Sequence, residues 1–148
     1  MNMNTTYFPE QQNDFFKTLA NKKIVDVRGL TRGSNHISIL FSDGDAIKFY
    51  HSQDCTESVE VDDVYGCEDD LIDAILYDIE LVQSNDRRKD KYDESYTWSF
   101  YKFRTSKGYV DIRWYGCSNG YYSETVDVEY FNPHVDSDYN WEGCFTSY

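Results

Sequence analysis

From Ile24 to Phe131 the apolar residues recur at every second position, in short runs separated by glycine-bearing turns. A two-residue period puts alternate side chains on opposite faces of an extended chain, so it selects half-buried strands over helices. The runs Ile24–Arg28, His36–Phe41 and Ala46–His51 read as strands, the last two joined by the hairpin signal Ser42-Asp43-Gly44-Asp45. Ile37, Ile39 and Phe41 share one face, as do Ile47 and Phe49. Ser58–Val64 reads as a further strand with Val59 and Val61 inward, and Ile75–Val82 fits a strand better than a helix. Tyr96–Arg104, Tyr109–Tyr115 and Tyr121–Phe131 follow, with turns at Thr105-Ser106-Lys107-Gly108 and Gly116-Cys117-Ser118-Asn119-Gly120. Before Ile24 the period is helical. Pro9 suits a first turn, and Phe15, Phe16 and Leu19 make an i, i+3, i+4 stripe, so residues 9–22 read as a helix packed on a sheet. Glu68-Asp69-Asp70 ahead of Leu71-Ile72 reads as a short helical start. The expected fold is a β-rich α+β domain: an antiparallel meander sheet curling toward a half-barrel, with an N-terminal helix.

One domain accounts for 148 residues, with a β core over 24–131, a helical addition over 1–23 and an aromatic C-terminal addition over 132–148 folding back on the sheet. Fourteen tyrosines, nine phenylalanines and three tryptophans supply core material. Charge is distributed unevenly. Between Phe49 and Asp86 lie twelve acids and no lysine or arginine, while the rest of the chain holds 15 acids against 14 bases. The net charge of -13 is therefore local. Such a field repels nucleic acids and anionic membranes and draws basic protein surfaces, so direct nucleic-acid and membrane binding are not expected. The first ten residues lack the basic-apolar-small pattern of a signal peptide, and no apolar run reaches spanning length. A cytoplasmic protein with reduced thiols at Cys55, Cys67, Cys117 and Cys144 is the expectation.

Three constellations could carry chemistry. His51-Ser52-Gln53-Asp54-Cys55-Thr56-Glu57 gathers imidazole, carboxylates and a thiol, so His51, Asp54, Cys55 and Glu57 are candidate metal ligands, or a Cys–His pair. The structural reading is a strand end, with His51 and Asp54 bonding a turn and Cys55 buried. No second ligand pair follows, and no cofactor is expected. Arg104, Arg113 and Trp114, with Asn119, Tyr121 and Tyr122 of the next turn, could clamp and stack a small ligand such as a nucleotide. The structural reading, which takes precedence, makes the arginines internal partners of the acids and the turn a plain hairpin. The Arg87-Arg88-Lys89-Asp90-Lys91 cluster reads as a solvated loop or as a phosphate-binding one.

The segments His51-Ser-Gln-Asp-Cys-Thr-Glu-Ser-Val, Trp98-Ser-Phe-Tyr-Lys-Phe-Arg-Thr-Ser-Lys-Gly and Ser118-Asn-Gly-Tyr-Tyr-Ser resemble a family of small phage and bacterial proteins known as a domain of unknown function. The resemblance runs from about Ile24 to Phe131. It implies a viral or prophage setting and no activity. Where the family has a second cysteine after Asp-Cys, this chain has Thr56, which weakens a mechanism needing vicinal thiols. Gly66-Cys67-Glu68-Asp69-Asp70-Leu71 also departs from the family's glycine-acidic-leucine segment.

The leading functional expectation is a non-enzymatic accessory protein that inhibits a basic host factor by stoichiometric binding. Glu60, Asp62, Asp63, Asp69, Asp70 and Asp73 would imitate a phosphate backbone. A small-ligand or nucleotide-signal binder and a metal- or thiol-dependent enzyme are the alternatives. Oligomeric state is not legible from these features.

Overall fold

A computed structural model describes residues 5–85 and 87–132. The elements are β1 (Thr5–Tyr7), α1 (Pro9–Lys17), β2 (Ile24–Arg28), β3 (His36–Phe41), β4 (Ala46–Tyr50), β5 (Ser58–Tyr65), a 3-10 turn (Glu68–Asp70), β6 (Leu76–Ser84), β7 (Ser95–Thr105), β8 (Gly108–Ser118) and β9 (Asp127–Phe131). They form two antiparallel sheets, one ordered β1-β9-β4-β3-β2 and the other β5-β8-β7-β6. The β-rich class, the antiparallel pairing and the N-terminal helix match expectation. The strands divide between two sheets rather than running as one curled meander, and among the described residues neither sheet closes into a barrel.

Two crossovers explain the division. The chain leaves the first sheet after β4 through residues 51–57, builds the second sheet, and returns to β9 through residues 119–126. Between them the alternating apolar faces meet in one core. The Phe49 ring of β4 lies 4.9 Å from Tyr101 and 5.9 Å from Phe103 of β7, and Phe16 of α1 lies 6.0 Å from both Phe49 and Tyr101. Each large aromatic buried this way contributes on the order of 2–3 kcal/mol.

The helix is shorter than the sequence pattern suggests, ending at Lys17 where the Thr18 hydroxyl donates to the Phe15 carbonyl. Its apolar side packs into the core. Phe16 and Leu19 are fully buried, and the buried Gln12 amide donates to the carbonyls of Tyr7 and Val126 while its oxygen accepts from Tyr101. One side chain thus ties α1 to the residues around β1, β9 and β7. Strand β1 pairs with β9 and lies in a stretch that reads as merely polar. At the other end, the expected strand Tyr121–Phe131 is a strand only from Asp127. The expected fold-back of the C-terminal tail lies outside the described residues.

Open strand edges invite association, and both edges of the second sheet are guarded. Gly33 and Ser34 exchange backbone hydrogen bonds with Val61 of β5, beside a bulge at Val61–Asp63. On β6, the Asn13 side chain imitates a neighbouring strand, accepting from Leu81 N (2.7 Å) and donating to Leu81 O (3.1 Å). Asn13→Ala is expected to cost about 1–2 kcal/mol in urea denaturation and to raise self-association in light scattering, because it bares that edge.

Candidate functional site

The densest reactive cluster folds into the first crossover. His51 ends β4, and the chain turns back so that Glu57 reaches it: Nε2 lies 2.7 Å from Glu57 Oε2, with both side chains buried. His51 Nδ1 lies 2.8 Å from the Thr125 carbonyl of the second crossover. A carbonyl and an ionised carboxylate only accept, so the pattern is filled when the imidazole donates from both nitrogens. Glu57 also accepts from the backbone amides of Asp54 (2.8 Å) and Cys55 (2.7 Å). Burial opposes its charge, yet His51 and these amides pull the Glu57 carboxyl down to about 2. Asp127, itself buried, accepts from Ser52 N at 3.3 Å, and burial raises its carboxyl above the ordinary value.

This geometry gives the motif's His51 and Glu57 side chains internal partners rather than a shared open site. Both ring nitrogens of His51 are occupied within the protein, Glu57 is consumed by the turn, and Asp54 and Cys55 are exposed. Among the described residues no group of three or more His, Cys, Asp or Glu side chains can hold a metal ion. The cluster works as a latch between the two crossovers. It resembles the structural reading of the motif, except that Cys55 is exposed rather than buried. Cys55, Cys67 and Cys117 are free thiols, and burial with Asp93 nearby pushes the Cys117 thiol up to about 11.

The acidic stretch is split by the fold. Asp62 pairs with Arg113 (2.7 Å) and Lys89, and Asp63 lies within 3.7 Å of Arg113 and 3.5 Å of Arg32. Burial opposes charge on Asp62, but Lys89 and Arg113 outweigh it and hold its carboxyl below the usual range. Those cations come from the basic loop and from β8. Arg113 also lies 5.3 Å from the Trp98 ring, and Trp98 Nε1 donates to the Arg87 carbonyl, which lays the loop on the sheet. Lys89 N donates to the Tyr115 hydroxyl, which in turn donates to Asp93. Lys89 belongs to the basic cluster noted in the sequence, but Asp93 does not stand out there, and each meets its partner only through the sheet.

Seven acids remain exposed with no ion pair among the described residues: Asp54, Glu60, Glu68, Asp69, Asp70, Asp73 and Glu80. Four of them sit on the β5–β6 connection, where the Lys107 ammonium of the β7–β8 hairpin donates to the Asp69 and Ile72 carbonyls. Asp70 Oδ2 accepts from Cys67 N at 3.0 Å, and Asp73 takes a left-handed backbone (φ 69°).

The residues expected to grip a small ligand are not brought together. Trp114 points into the core at 1% exposure, while Arg113 is on the opposite face and bound to Asp62. Arg104 stacks over Tyr77 at 5.8 Å. Asn119 and Tyr121 are exposed on the turn of the second crossover, and Tyr122 is half-buried there. Glu124, unremarked in the sequence, organises that turn by accepting from Thr97 (3.1 Å) and Ser118 (2.5 Å). A 280 Å³ cleft on the outer sheet face is lined by Phe100, Lys102, Asp111, Arg113, Asp63 and Tyr65, and includes only Arg113 of the six.

The chain is thus a two-sheet antiparallel β domain with its crossovers locked by a buried imidazole–carboxylate pair, and with four exposed acids on its β5–β6 connection. The chain belongs to the DUF7448 family, a domain of unknown function, which it matches over residues 17–128. Neither a curated protein nor a solved structure matches it. Strand β1 and all of α1 but its last residue precede the family match, although they complete the core. No helix among the described residues is long and apolar enough to cross a membrane.

Proposed function

We propose that the protein acts by stoichiometric binding of a basic protein partner, as a phage or prophage accessory protein would when it occupies the nucleic-acid channel of a host defence factor. The observation that supports this reading is the set of exposed acids without an ion pair on the β5–β6 connection: Glu68, Asp69, Asp70 and Asp73. Asp62 and Asp63 contribute less than the sequence suggests, because Arg113, Lys89 and Arg32 already neutralise them. Glu60, Asp69, Asp70 and Asp73, joined by Glu68 and Glu80, form the working set. A short connection held between two paired strands loses little entropy on docking, and a local negative field speeds encounter with a basic surface.

The test is capture of basic proteins from a bacterial lysate at low and high salt, followed by displacement with duplex DNA. Glu60→Lys/Glu68→Lys/Asp69→Lys is the variant of choice: it spares the Asp70 cap, the left-handed Asp73 and the paired Asp62. The wild type is expected to hold a nucleic-acid-binding protein that salt and duplex DNA both release, and the variant to lose at least tenfold in affinity. A partner that DNA does not displace, or that the variant binds equally well, overturns the reading.

A further inference from the structure

A groove lies between α1 and the β1–β9 edge and shares no residue with the β5–β6 connection. It has a volume of about 620 Å³ and is lined by residues including Tyr7, Glu10, Asp14, Phe15, Lys22 and Tyr130. That size is within the range of sites for small organic ligands.

Its floor is aromatic and already ordered. Tyr7 and Phe15 stack at 4.0 Å and 11°, and Tyr130 meets Phe15 edge-on at 5.6 Å. At one end the buried Asp45 accepts from the Tyr130 hydroxyl (2.8 Å) and from Lys22 (3.1 Å), which also pairs with Asp43. Burial works against charge on Lys22, but Asp43 and Asp45 hold its ammonium above the ordinary value, so this cation is spent inside the protein. On the other side, consecutive turns of α1 carry Glu10 and Asp14, both exposed. Glu10 has no ion pair among the described residues, and Asp14 has only the 3.8 Å contact with Lys17, between side chains 91% and 76% exposed. Such a pair is largely screened and worth little. Rings with electron-rich faces and unneutralised carboxylates thus share one groove.

We propose that this groove binds an organic cation: an ammonium or guanidinium group on an aliphatic stem. The stem lies against Tyr7, Phe15 and Leu19, and the charged head is held by Glu10 and Asp14 and by the faces of Tyr7 and Tyr130. An anion is repelled by the same carboxylates, and a neutral apolar ligand leaves them without a partner. Five of its ten lining residues, Tyr7, Glu10, Gln11, Asp14 and Phe15, precede the family match. The groove shares no residue with the β5–β6 connection, so it is independent of the function proposed above.

The shared chemistry has two sources, a free amine or guanidine and the arginine side chain of a protein. Binding is measured by two-dimensional NMR and calorimetry on the full chain in low salt, with agmatine, a blocked Gly-Arg-Gly peptide and neutral butylurea. The expected result is binding of a cation with amide shifts at Glu10, Gln11, Asp14 and Lys22, and none with butylurea. Tighter binding of agmatine assigns a free organic cation, and tighter binding of the peptide assigns a protein arginine. Glu10→Gln/Asp14→Asn, at solvent-facing positions, is expected to weaken binding about tenfold. Tyr7→Leu, which keeps an apolar wall but removes the ring, is expected to weaken it about threefold. Equal affinity for butylurea, no shifts with either cation, or full affinity in the double variant overturns the assignment.

Discussion

Replacing Glu57 with alanine is expected to destabilise the protein by about 4 kcal/mol, because each buried polar group left without its partner costs ~1–3 kcal/mol. Several groups lose their partner at once. Removing the carboxylate leaves the buried His51 ring with an unanswered donor, and strips the Asp54 and Cys55 amides of their acceptor. Because His51 also holds the Thr125 carbonyl, the loss spreads from the first crossover to the second. Urea denaturation at neutral pH measures the effect, and an intact fold with a loss below about 1 kcal/mol, the size of an exposed pair, would refute the latch. The same carboxyl makes a prediction in pH. Its value is about 2 in the fold against an ordinary 4.5, so the unfolded chain binds the proton more readily. The stabilisation is therefore fully present above about pH 4.5 and is lost as the pH falls toward and through 2. Wild-type stability should decline over that window, and Glu57→Gln, which cannot titrate, should lack this component of the decline.

Gly116→Ala should cost about 3 kcal/mol, although alanine adds one methyl group. Gly116 lies in β8 between Val59 of β5 and Thr97 of β7, and the returning crossover passes directly over it. A β-carbon there would sit 2.1 Å from the Glu124 carbonyl oxygen and 2.9 Å from its carbon, so backbone rather than a flexible side chain must move. That displacement also pulls Glu124 from Ser118 and Thr97. Gly120→Ala is the control. It has open space around it and only a left-handed backbone (φ 95°) to strain, so about 1 kcal/mol is expected. Equal losses at the two positions would mean that backbone conformation, not the close approach of the crossover, governs Gly116.

The local signals are readable because their causes are local. Alternation in Ile37, Ile39 and Phe41, or in Val59 and Val61, follows from the geometry of one extended segment, and the observed strands carry those faces as expected. The Ser42–Asp45 hairpin and the short turn at Glu68–Asp70 likewise need only their own residues. Tyr121–Val126 misleads for the same reason. Its composition favours a strand, but the buried Glu124 anchors it as a crossover, a contact no local pattern contains. Strand β1 is invisible in the sequence because three residues, Thr5–Tyr7, owe their extension to pairing with β9 more than a hundred positions away.

The candidate site divides along the same line. The concentration of charge between residues 54 and 86 and the six-position spacing of His51 and Glu57 are legible at once, since both are facts of order along the chain. Which of those charges remain available depends on how the strands pair. Arg113 lies 51 positions from Asp62 and Lys89 lies 27 away, and the sheet brings both to one carboxylate while leaving Glu68 and Asp69 in solvent. Electrostatic interaction and burial depend on distance in space, and strand pairing sets that distance independently of sequence separation.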